Sequence, residues 1–213
     1  MQGGGDYAEI DGGGREMALA GMELMPDTWI EALECSIRNP STLKFNLPFE
    51  VTVAGFECTT AQDTDRSPLA AKIFGFPWTQ SVFVGPNYLT ITKQDWVDWN
   101  VLAEPLSGLI QEHLDRGEPV VVEVAATMAD DGDENENDSV IVKNIKSLLN
   151  REIRPVVALD GGDITFAKIE DDIVYLRMKG ACAGCPSSQA TLKDGIEVRL
   201  KDAFPQIKEV VAI

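Results

Sequence analysis

The chain has 213 residues, 44% of them hydrophobic, which suits a soluble globular protein of one large domain or two small ones. Its formal net charge is −17 at pH 7, and this argues against nucleic acid and anionic membrane surfaces as partners, because both attract a basic face. No apolar run approaches the roughly 18 residues that a membrane-spanning helix needs.

Residues 1–34 are predicted to be an N-terminal extension that is largely disordered. The first half is rich in glycine and acidic residues, a composition that buries too little apolar surface to fold. The apolar positions that follow allow a short helix beginning at Asp27 or Thr28. The opening residues lack the apolar centre of a signal peptide and hold too many acids for a transit peptide. We therefore expect a cytoplasmic location.

Residues 35–125 are predicted to form a first small α+β domain. Apolar periodicity and turn residues place strands at 42–46 and 49–54, a helix from 68, a hairpin of strands 81–84 and 88–92, and a helix over 99–116. Ser67 suits the N-cap of the first helix, and Pro68 suits its first position. Gly117 is well placed to end the second helix.

Residues 126–139 are predicted to be an acidic flexible linker. Within them, the stretch DDGDENEND at 130–138 has six acids and no basic residue. Such a block repels itself and has nothing to bury. We expect the two domains to lie at variable separation on either side of it.

Residues 140–213 are predicted to form a second α+β domain. Its expected order is helix, strand, strand, helix, strand, with the first helix stopping before Pro155. The turn Asp160-Gly161-Gly162-Asp163 contains glycines that can take a positive φ. The predicted fold class is therefore α+β, with two small domains joined by the acidic linker.

Cys182 and Cys185 form a C-x-x-C motif in the stretch GACAGCPSS, between a predicted strand and a predicted helix. Amide hydrogens and the positive end of a helix dipole stabilise a thiolate at such a position. The neighbouring glycines and alanines give little steric cover, and Pro186 starts the helix without losing a needed donor. We therefore expect two exposed, ionised sulfurs.

Several uses of this cysteine pair compete. Buried structural thiols are the plainest use, but the glycine-lined surroundings speak against it. A thioredoxin-type dithiol site has the same placement, although it belongs in a β-α-β unit near the start of a chain. A zinc site needs four ligands, and the single histidine, His113, is expected to have a packing or surface role. Cys35 and Cys58 could complete such a set only if the first domain folded back, so we give them no role.

Two thiolates are also too few for an ordinary iron–sulfur cluster. Two copies of the chain related by a two-fold axis would bring two such motifs together and supply four thiolates. A cluster held at that interface can be lost when the dimer opens or when other cysteines compete for it. These properties are those of a carrier and not of an electron-transfer protein.

The segments IKSLLNREIRPVVALDGGDITF and MKGACAGCPSSQATLKDGIEVRLK closely resemble the C-terminal domain of NifU-like (Nfu) iron–sulfur cluster scaffold proteins. The segments SIRNPSTLKFNL, RSPLAAKIFGF and SVFVGPNYLTITK are similar to the N-terminal domain of the same family. Together the resemblance covers residues 35–213.

The resemblance implies a scaffold or carrier that receives a labile [4Fe–4S] or [2Fe–2S] cluster from assembly donor proteins and passes it to apo iron–sulfur proteins. Cys182 and Cys185 match the family's ligand positions. The N-terminal domain would act in recognition and stabilisation, without ligand cysteines of its own. We expect the chain to be monomeric or weakly associating without the cluster and to be a cluster-bridged homodimer with it.

No enzymatic turnover is expected, because the sequence has no evident nucleophile–base pair and no P-loop. Asp160 and Asp163 are expected to be turn and capping residues and not metal ligands. The alternative is a dithiol oxidoreductase in which Cys182 or Cys185 attacks a substrate disulfide. A structural zinc dimer is a third hypothesis.

Overall fold

A computed structural model describes residues 32–34, 39–52, 55–122, 138–183 and 186–213. These residues form two α+β units, each with one sheet and one hydrophobic core, which confirms the predicted fold class. Most of the predicted N-terminal extension and of the predicted acidic linker lies outside the described residues. None of the helices within those ranges is long and apolar enough to cross a membrane.

The first unit is built on a five-stranded antiparallel sheet of order β1-β2-β5-β4-β3. Its strands are β1 (Ala32–Glu34), β2 (Thr42–Asn46), β3 (Phe56–Cys58), β4 (Thr79–Val84) and β5 (Tyr88–Lys93). Its helices are a 3₁₀ helix (Ala61–Arg66), α1 (Pro68–Phe74) and α2 (Trp99–Asp115). Apolar side chains of α1 and α2 pack on one face of the sheet and form the first core.

The ends of α1 and α2 lie where the sequence predicts them. Ser67 Oγ accepts a hydrogen bond from the Ala70 amide at 3.0 Å, and Pro68 occupies the first turn, where no amide hydrogen is needed. Beyond α2, Gly117 has a φ of 66°, the left-handed conformation that glycine adopts most readily. Local capping chemistry is therefore sufficient to define the start of α1 and the end of α2.

One prediction for the first unit is wrong. Residues 49–52 do not form a strand, because the Leu47 and Val51 amides bond to the carbonyl oxygens of Asn87 and Pro86 in the hairpin turn. The neighbouring strand is β3, which lies further along the chain and pairs with β4. The start of the short helix expected at Asp27 or Thr28 lies outside the described residues, whereas residues 32–34 of the predicted extension form β1, which pairs with β2.

The second unit has a three-stranded sheet of order β6-β7-β8. Its elements are α3 (Val140–Leu148), α4 (Arg154–Leu159), β6 (Gly162–Glu170), β7 (Ile173–Gly180), α5 (Pro186–Ala203) and β8 (Glu209–Ala212). The β6–β7 hairpin turns at Asp171 and Asp172, both with positive φ. The predicted order of helix, strand, strand, helix, strand is confirmed.

The helical segment at the start of the second unit does not stop before Pro155, contrary to the prediction. One turn of π-helix, Leu149–Ile153, joins α3 to α4, and Pro155 lies in the first turn of α4. A π turn interrupts the regular pattern of hydrogen bonds between residues i and i−4. Pro155 therefore lies where the absence of its amide hydrogen costs little stability.

The strands β7 and β8 are parallel, so α5 is the crossover helix of a β-α-β unit. The cysteine motif lies between β7 and α5. The β-α-β unit was not predicted, because the apolar pattern of a strand such as β8 does not show whether it pairs in a parallel or an antiparallel direction. The domain order therefore does not separate the carrier from a dithiol oxidoreductase.

The first sheet is covered on both faces. Along β5, Leu89 and Ile91 belong to the first core, whereas Tyr88 and Thr90 alternate with them and face the other way. Thr90 nevertheless exposes only 1% of its surface. The second unit covers this other face, with β7 against β3, β4 and β5. The two units are therefore in contact, and not at the variable separation that the acidic linker predicts.

Candidate functional site

Cys182 lies in the predicted loop between β7 and α5. The Ala181 amide just before it donates a hydrogen bond to the Gly161 carbonyl oxygen at 3.2 Å, and this ties the loop to the turn before β6. Cys185, the other cysteine of the motif, lies outside the described residues. Helix α5 begins at Pro186, as the sequence predicts.

The thiol of Cys182 packs against Gly162, the first residue of β6. A Cβ atom at Gly162 would collide with Cys182 Sγ, so a larger residue there would force the sulfur to move. The preceding residue, Gly161, has a φ of 79°, which confirms the predicted turn conformation. We call the pair Gly161-Gly162 the glycine cradle.

Cys182 exposes only 7% of its surface and belongs to the second hydrophobic core. The prediction of an exposed sulfur is therefore wrong for this residue. Small neighbours suggested an open loop from the sequence, but in the structure the sulfur packs against Gly162 and belongs to the second core.

Asn39, just before β2, contacts the backbone on both sides of Cys182. Its Nδ2 donates to the carbonyl oxygens of Ala183 at 3.0 Å and of Ala181 at 3.4 Å. Its Oδ1 accepts a hydrogen bond from the Ser41 amide at 3.1 Å, which fixes the side chain. A residue of the first unit thus holds the cysteine loop.

Side chains of β5 hold the glycine cradle, and a side chain of β2 holds the end of α4 just before it. Thr90 Oγ1 donates to the Gly161 carbonyl oxygen at 2.6 Å, and Tyr88 Oη donates to the Gly162 carbonyl oxygen at 2.8 Å. Lys44 Nζ donates to the Ala158 carbonyl oxygen at 2.8 Å, at the end of α4, where a positive charge is favourable. These contacts join the two units at the backbone beside Cys182.

Cys58 and His113 have structural surroundings in the first unit. Cys58 is buried and donates to the Asp63 carbonyl oxygen at 3.3 Å, and burial raises the pKa of its thiol to about 12. His113 is buried, with Nδ1 3.0 Å from Lys72 Nζ and Nε2 3.1 Å from the Pro119 carbonyl oxygen. The packing role predicted for His113 is confirmed.

Asp163 is engaged by a cation of its own unit. Arg154 donates to both carboxylate oxygens, from Nε at 2.7 Å and from an Nη at 2.8 Å. Within the described ranges, no group of three or more histidine, cysteine, aspartate or glutamate side chains is placed to hold a metal ion. Cys35 lies outside those ranges, as Cys185 does.

The residues that hold the site from the first unit were not found in the sequence. Thr90 and Tyr88 lie more than 70 residues from the glycine cradle, and Asn39 lies further still from the cysteine loop. The available signal was weak: a strand that alternates polar and apolar residues is normally taken to be half exposed. The two glycines were explained by the turn alone.

Two family models match the chain, one for each unit. The model described as "Scaffold protein Nfu/NifU N terminal" matches residues 36–117, and the model described as "NifU-like domain" matches residues 145–211. The matched ranges agree with the two units of the structure.

Three relatives match most of the chain. NifU-like protein 5, mitochondrial, of Arabidopsis thaliana is 38% identical over 87% of this chain and 70% of its own length. A NifU-like protein of Schizosaccharomyces pombe is 34% identical over 90% of this chain and 75% of its own length. The human NFU1 iron-sulfur cluster scaffold homolog, mitochondrial, is 37% identical over 81% of this chain and 67% of its own length.

The prediction of a cytoplasmic location is wrong. The Arabidopsis and human relatives are named as mitochondrial proteins. Address segments are removed from mature proteins and form no part of their folded domains. The composition of the opening residues therefore could not decide the compartment.

Both units are matched by models of one family, and the relatives exceed 30% identity over two thirds or more of their own length. The chain belongs to the NifU-like family of iron–sulfur cluster scaffold proteins.

Proposed function

We propose that the chain is a carrier that holds a labile [4Fe–4S] or [2Fe–2S] cluster through Cys182 and Cys185, shares it between two chains and transfers it to apo-proteins. The observation that supports this most is the position of Cys182. Its sulfur packs against Gly162, where a Cβ atom would displace it, and it lies just before the first turn of α5, where amide hydrogens favour a thiolate.

The number of ligands favours sharing. Each chain offers two thiols in its loop, and an ordinary cluster takes four cysteine ligands, so two chains complete the set. Binding requires both thiols to lose their protons. Because the ligands come from two chains, opening of the dimer exposes the cluster to the cysteines of a recipient, and transfer proceeds by exchange of thiolate ligands without chemical turnover.

The expected partners follow from this role. Donor proteins of cluster assembly load the carrier, apo iron–sulfur proteins unload it, and a second copy of the chain completes the site. Nucleic acid and membrane surfaces are not expected, because the net charge of −17 repels both.

A dithiol oxidoreductase is the second candidate, and the β7-α5-β8 unit favours it. A C-x-x-C motif between the strand and the helix of such a unit is the placement used by thioredoxin-type sites. In that case, one thiolate attacks a substrate disulfide, a mixed disulfide forms, and the second thiol displaces the reduced substrate. The motif would then cycle between dithiol and disulfide.

Anaerobic reconstitution with iron and sulfide, followed by size-exclusion chromatography and iron analysis, tests the proposal. We expect a coloured dimer with one cluster for two chains. Cys182→Ala and Cys185→Ala should each abolish binding, because either change leaves only two thiolates across the dimer. Cys58→Ala is the matched control, since it also removes a buried thiol but should retain the cluster.

Two outcomes would contradict the carrier. Full cluster occupancy in either single-loop variant would exclude the scheme of two ligands from each chain. A colourless monomer without iron, whose Cys182 and Cys185 cycle to a disulfide, would favour the oxidoreductase.

A further inference from the structure

The contact between the two units is built of close approaches that depend on glycine. Gly180, with a φ of 62°, lies against the Phe83 ring, and a Cβ atom there would be 3.1 Å from ring carbons. A Cβ atom at Gly161 would be 2.7 Å from Thr90 Oγ1. Phe83 belongs to β4 and is fully buried. Side chains of the first unit therefore rest directly on the backbone of the second.

The same contact includes both chain segments that meet at Cys182. Asn39 holds the carbonyl groups on the two sides of the cysteine, while Thr90 and Tyr88 hold the glycine cradle against which its sulfur packs. The first unit thus fixes the loop and the cradle together. Neither segment can move outward without breaking these hydrogen bonds.

A cluster shared between two chains needs a cysteine sulfur that is accessible from outside its own chain. A metal–sulfur bond is about 2.3 Å long, so the sulfur must face the cluster directly, and a second chain must approach from the same side. Cys182 exposes only 7% of its surface, with the first unit bonded to the backbone around it. In this conformation the sulfur faces Gly162 and the second core, and the backbone that carries it is held by the first unit.

We propose that the first unit is a latch, formed by Asn39, Tyr88, Thr90 and Phe83, that holds residues 180–183 against the glycine cradle and must release them before two chains share a cluster. The inference rests on the proposed carrier function. It assigns to the N-terminal unit a regulatory contact with its own C-terminal unit, in addition to any contact with other proteins.

The latch is suited to reversible opening. Most of its hydrogen bonds run from side-chain donors to backbone carbonyl groups, and water can replace both partners when the units separate, so each bond contributes little net free energy. A cluster that binds only the open form has its apparent affinity lowered by the open fraction. Loss of one or two latch bonds should therefore raise loading by about fivefold to tenfold.

Two variants weaken the latch without touching the cysteines. The double variant Tyr88→Phe/Thr90→Val removes two hydroxyl donors and keeps the ring and the β-branched shape. Asn39→Asp keeps the acceptor for the Ser41 amide and sets a carboxylate against two carbonyl oxygens. Thr92→Val is the matched control, because this threonine lies on the same strand but bonds to Thr42 within the first sheet.

Two measurements are needed, and the first does not involve a cluster. In chains that carry Cys185→Ala, the alkylation rate of Cys182 by iodoacetamide, followed by peptide mass spectrometry, reports exposure of the loop. We expect both latch variants to react about fivefold faster, with the Thr92→Val chain at the wild-type rate. Cys58, whose pKa is raised to about 12, should stay unmodified in every chain and serves as a check of folding.

The second measurement is the rate of anaerobic cluster loading in chains with both loop cysteines. Faster loading in the latch variants, with the control unchanged, supports the latch. Unchanged alkylation or slower loading in both variants overturns it, because the first unit would then not restrict the loop or would prepare it for binding. If no chain loads a cluster but alkylation still rises, the carrier function fails and the closing contact stands.

Discussion

Glu57 is a carboxyl group at the contact between the two units. Its Oε1 accepts a hydrogen bond from the Gly180 amide at 3.4 Å. Burial raises the pKa of Glu57 above its ordinary value, while the Gly180 amide, Lys179 and Ser81 partly offset this effect. The ionised carboxylate is therefore less favourable in the folded chain than in the unfolded chain.

Replacing Glu57 with glutamine should stabilise the protein at neutral pH. A group whose folded pKa is raised lowers stability above that pKa, and the cost disappears as pH falls toward the ordinary value of 4.5. We expect Glu57→Gln to raise the melting temperature by about 2–4 °C at pH 7.5. The difference from wild type should shrink in acid. Equal melting temperatures across this range would contradict the buried charge.

At the scale of single residues, the sequence identified the candidate thiols but not their surroundings. The motif of Cys182 and Cys185 was evident, and the placement of Cys182 before α5 is confirmed. The burial of Cys182 could not be predicted, because it depends on Gly162 and on Asn39, which reach it only through the fold. Small residues indicate that another part of the molecule or a ligand packs closely against them, but they do not identify that group.

His113 links three elements of the first unit: α2 carries it, Lys72 reaches it from α1, and Pro119 follows α2. The Lys72 ammonium donates to Nδ1, so Nε2 carries the proton that is donated to the Pro119 carbonyl oxygen, which is the arrangement of a neutral ring. Burial lowers the pKa of His113, and Lys72 and Arg116 add repulsion, while Pro119 and Glu118 act in the opposite direction.

This environment predicts a loss of stability in mild acid. Below the ordinary histidine pKa of 6.5, His113 binds a proton more readily in the unfolded chain than in the folded chain. The free energy of unfolding therefore decreases as the pH is lowered. We expect a slope of at most about 1.4 kcal/mol per pH unit in urea titrations between about pH 6.5 and pH 5.

His113→Gln should flatten this slope, since glutamine does not titrate. Carboxyl groups in ion pairs, such as Glu118, have a lowered pKa. Their protonation therefore lowers the free energy of unfolding only in stronger acid. A wild-type slope equal to that of the variant would show that His113 is not the responsible group.

At the scale of helices and strands, the sequence predicted those elements whose signals are local. Ser67-Pro68 was sufficient to start α1, and the turn after β4 was sufficient to define the hairpin with β5. Elements that depend on other parts of the chain were missed. Residues 49–52 of the strand expected at 49–54 instead contact the hairpin turn. The π turn before Pro155 has no sequence signal that we recognise.

For the whole molecule, charge opposes association of two chains. Each chain carries a formal net charge of −17 at pH 7, so two copies repel one another at low ionic strength. Salt screens this repulsion, with a Debye length of about 10 Å at 0.1 M. The proposed shared cluster therefore has to form against a long-range electrostatic barrier.

We expect the dimer fraction of the cluster-loaded chain to rise when the salt concentration is raised from about 0.05 M to 0.5 M. Sedimentation velocity under anaerobic conditions measures this fraction. Iron content must be determined in each sample, so that cluster loss is not mistaken for dissociation. A dimer fraction that falls with salt would point to an interface held by ion pairs between the chains.

The contact between the two units was the largest feature that the sequence could not give. The strand β5 alternates polar and apolar residues, which is the pattern of a strand with one solvated face. Thr90 and Tyr88 instead face the second unit. Alternation shows that the two faces differ, but it cannot distinguish water from another domain that presents backbone carbonyl groups.

Because the latch joins two parts of one polypeptide, residues 123–137 between Val122 and Asp138 act as a tether. A short tether gives each unit an effective concentration of the other in the millimolar range, far above that of two separate polypeptides in dilute solution. Doubling the tether with glycine and serine adds only about 0.6 kcal/mol of closure entropy. The length of this segment therefore offers a graded control over how often the latch holds the backbone around Cys182, independent of the chemistry of either unit.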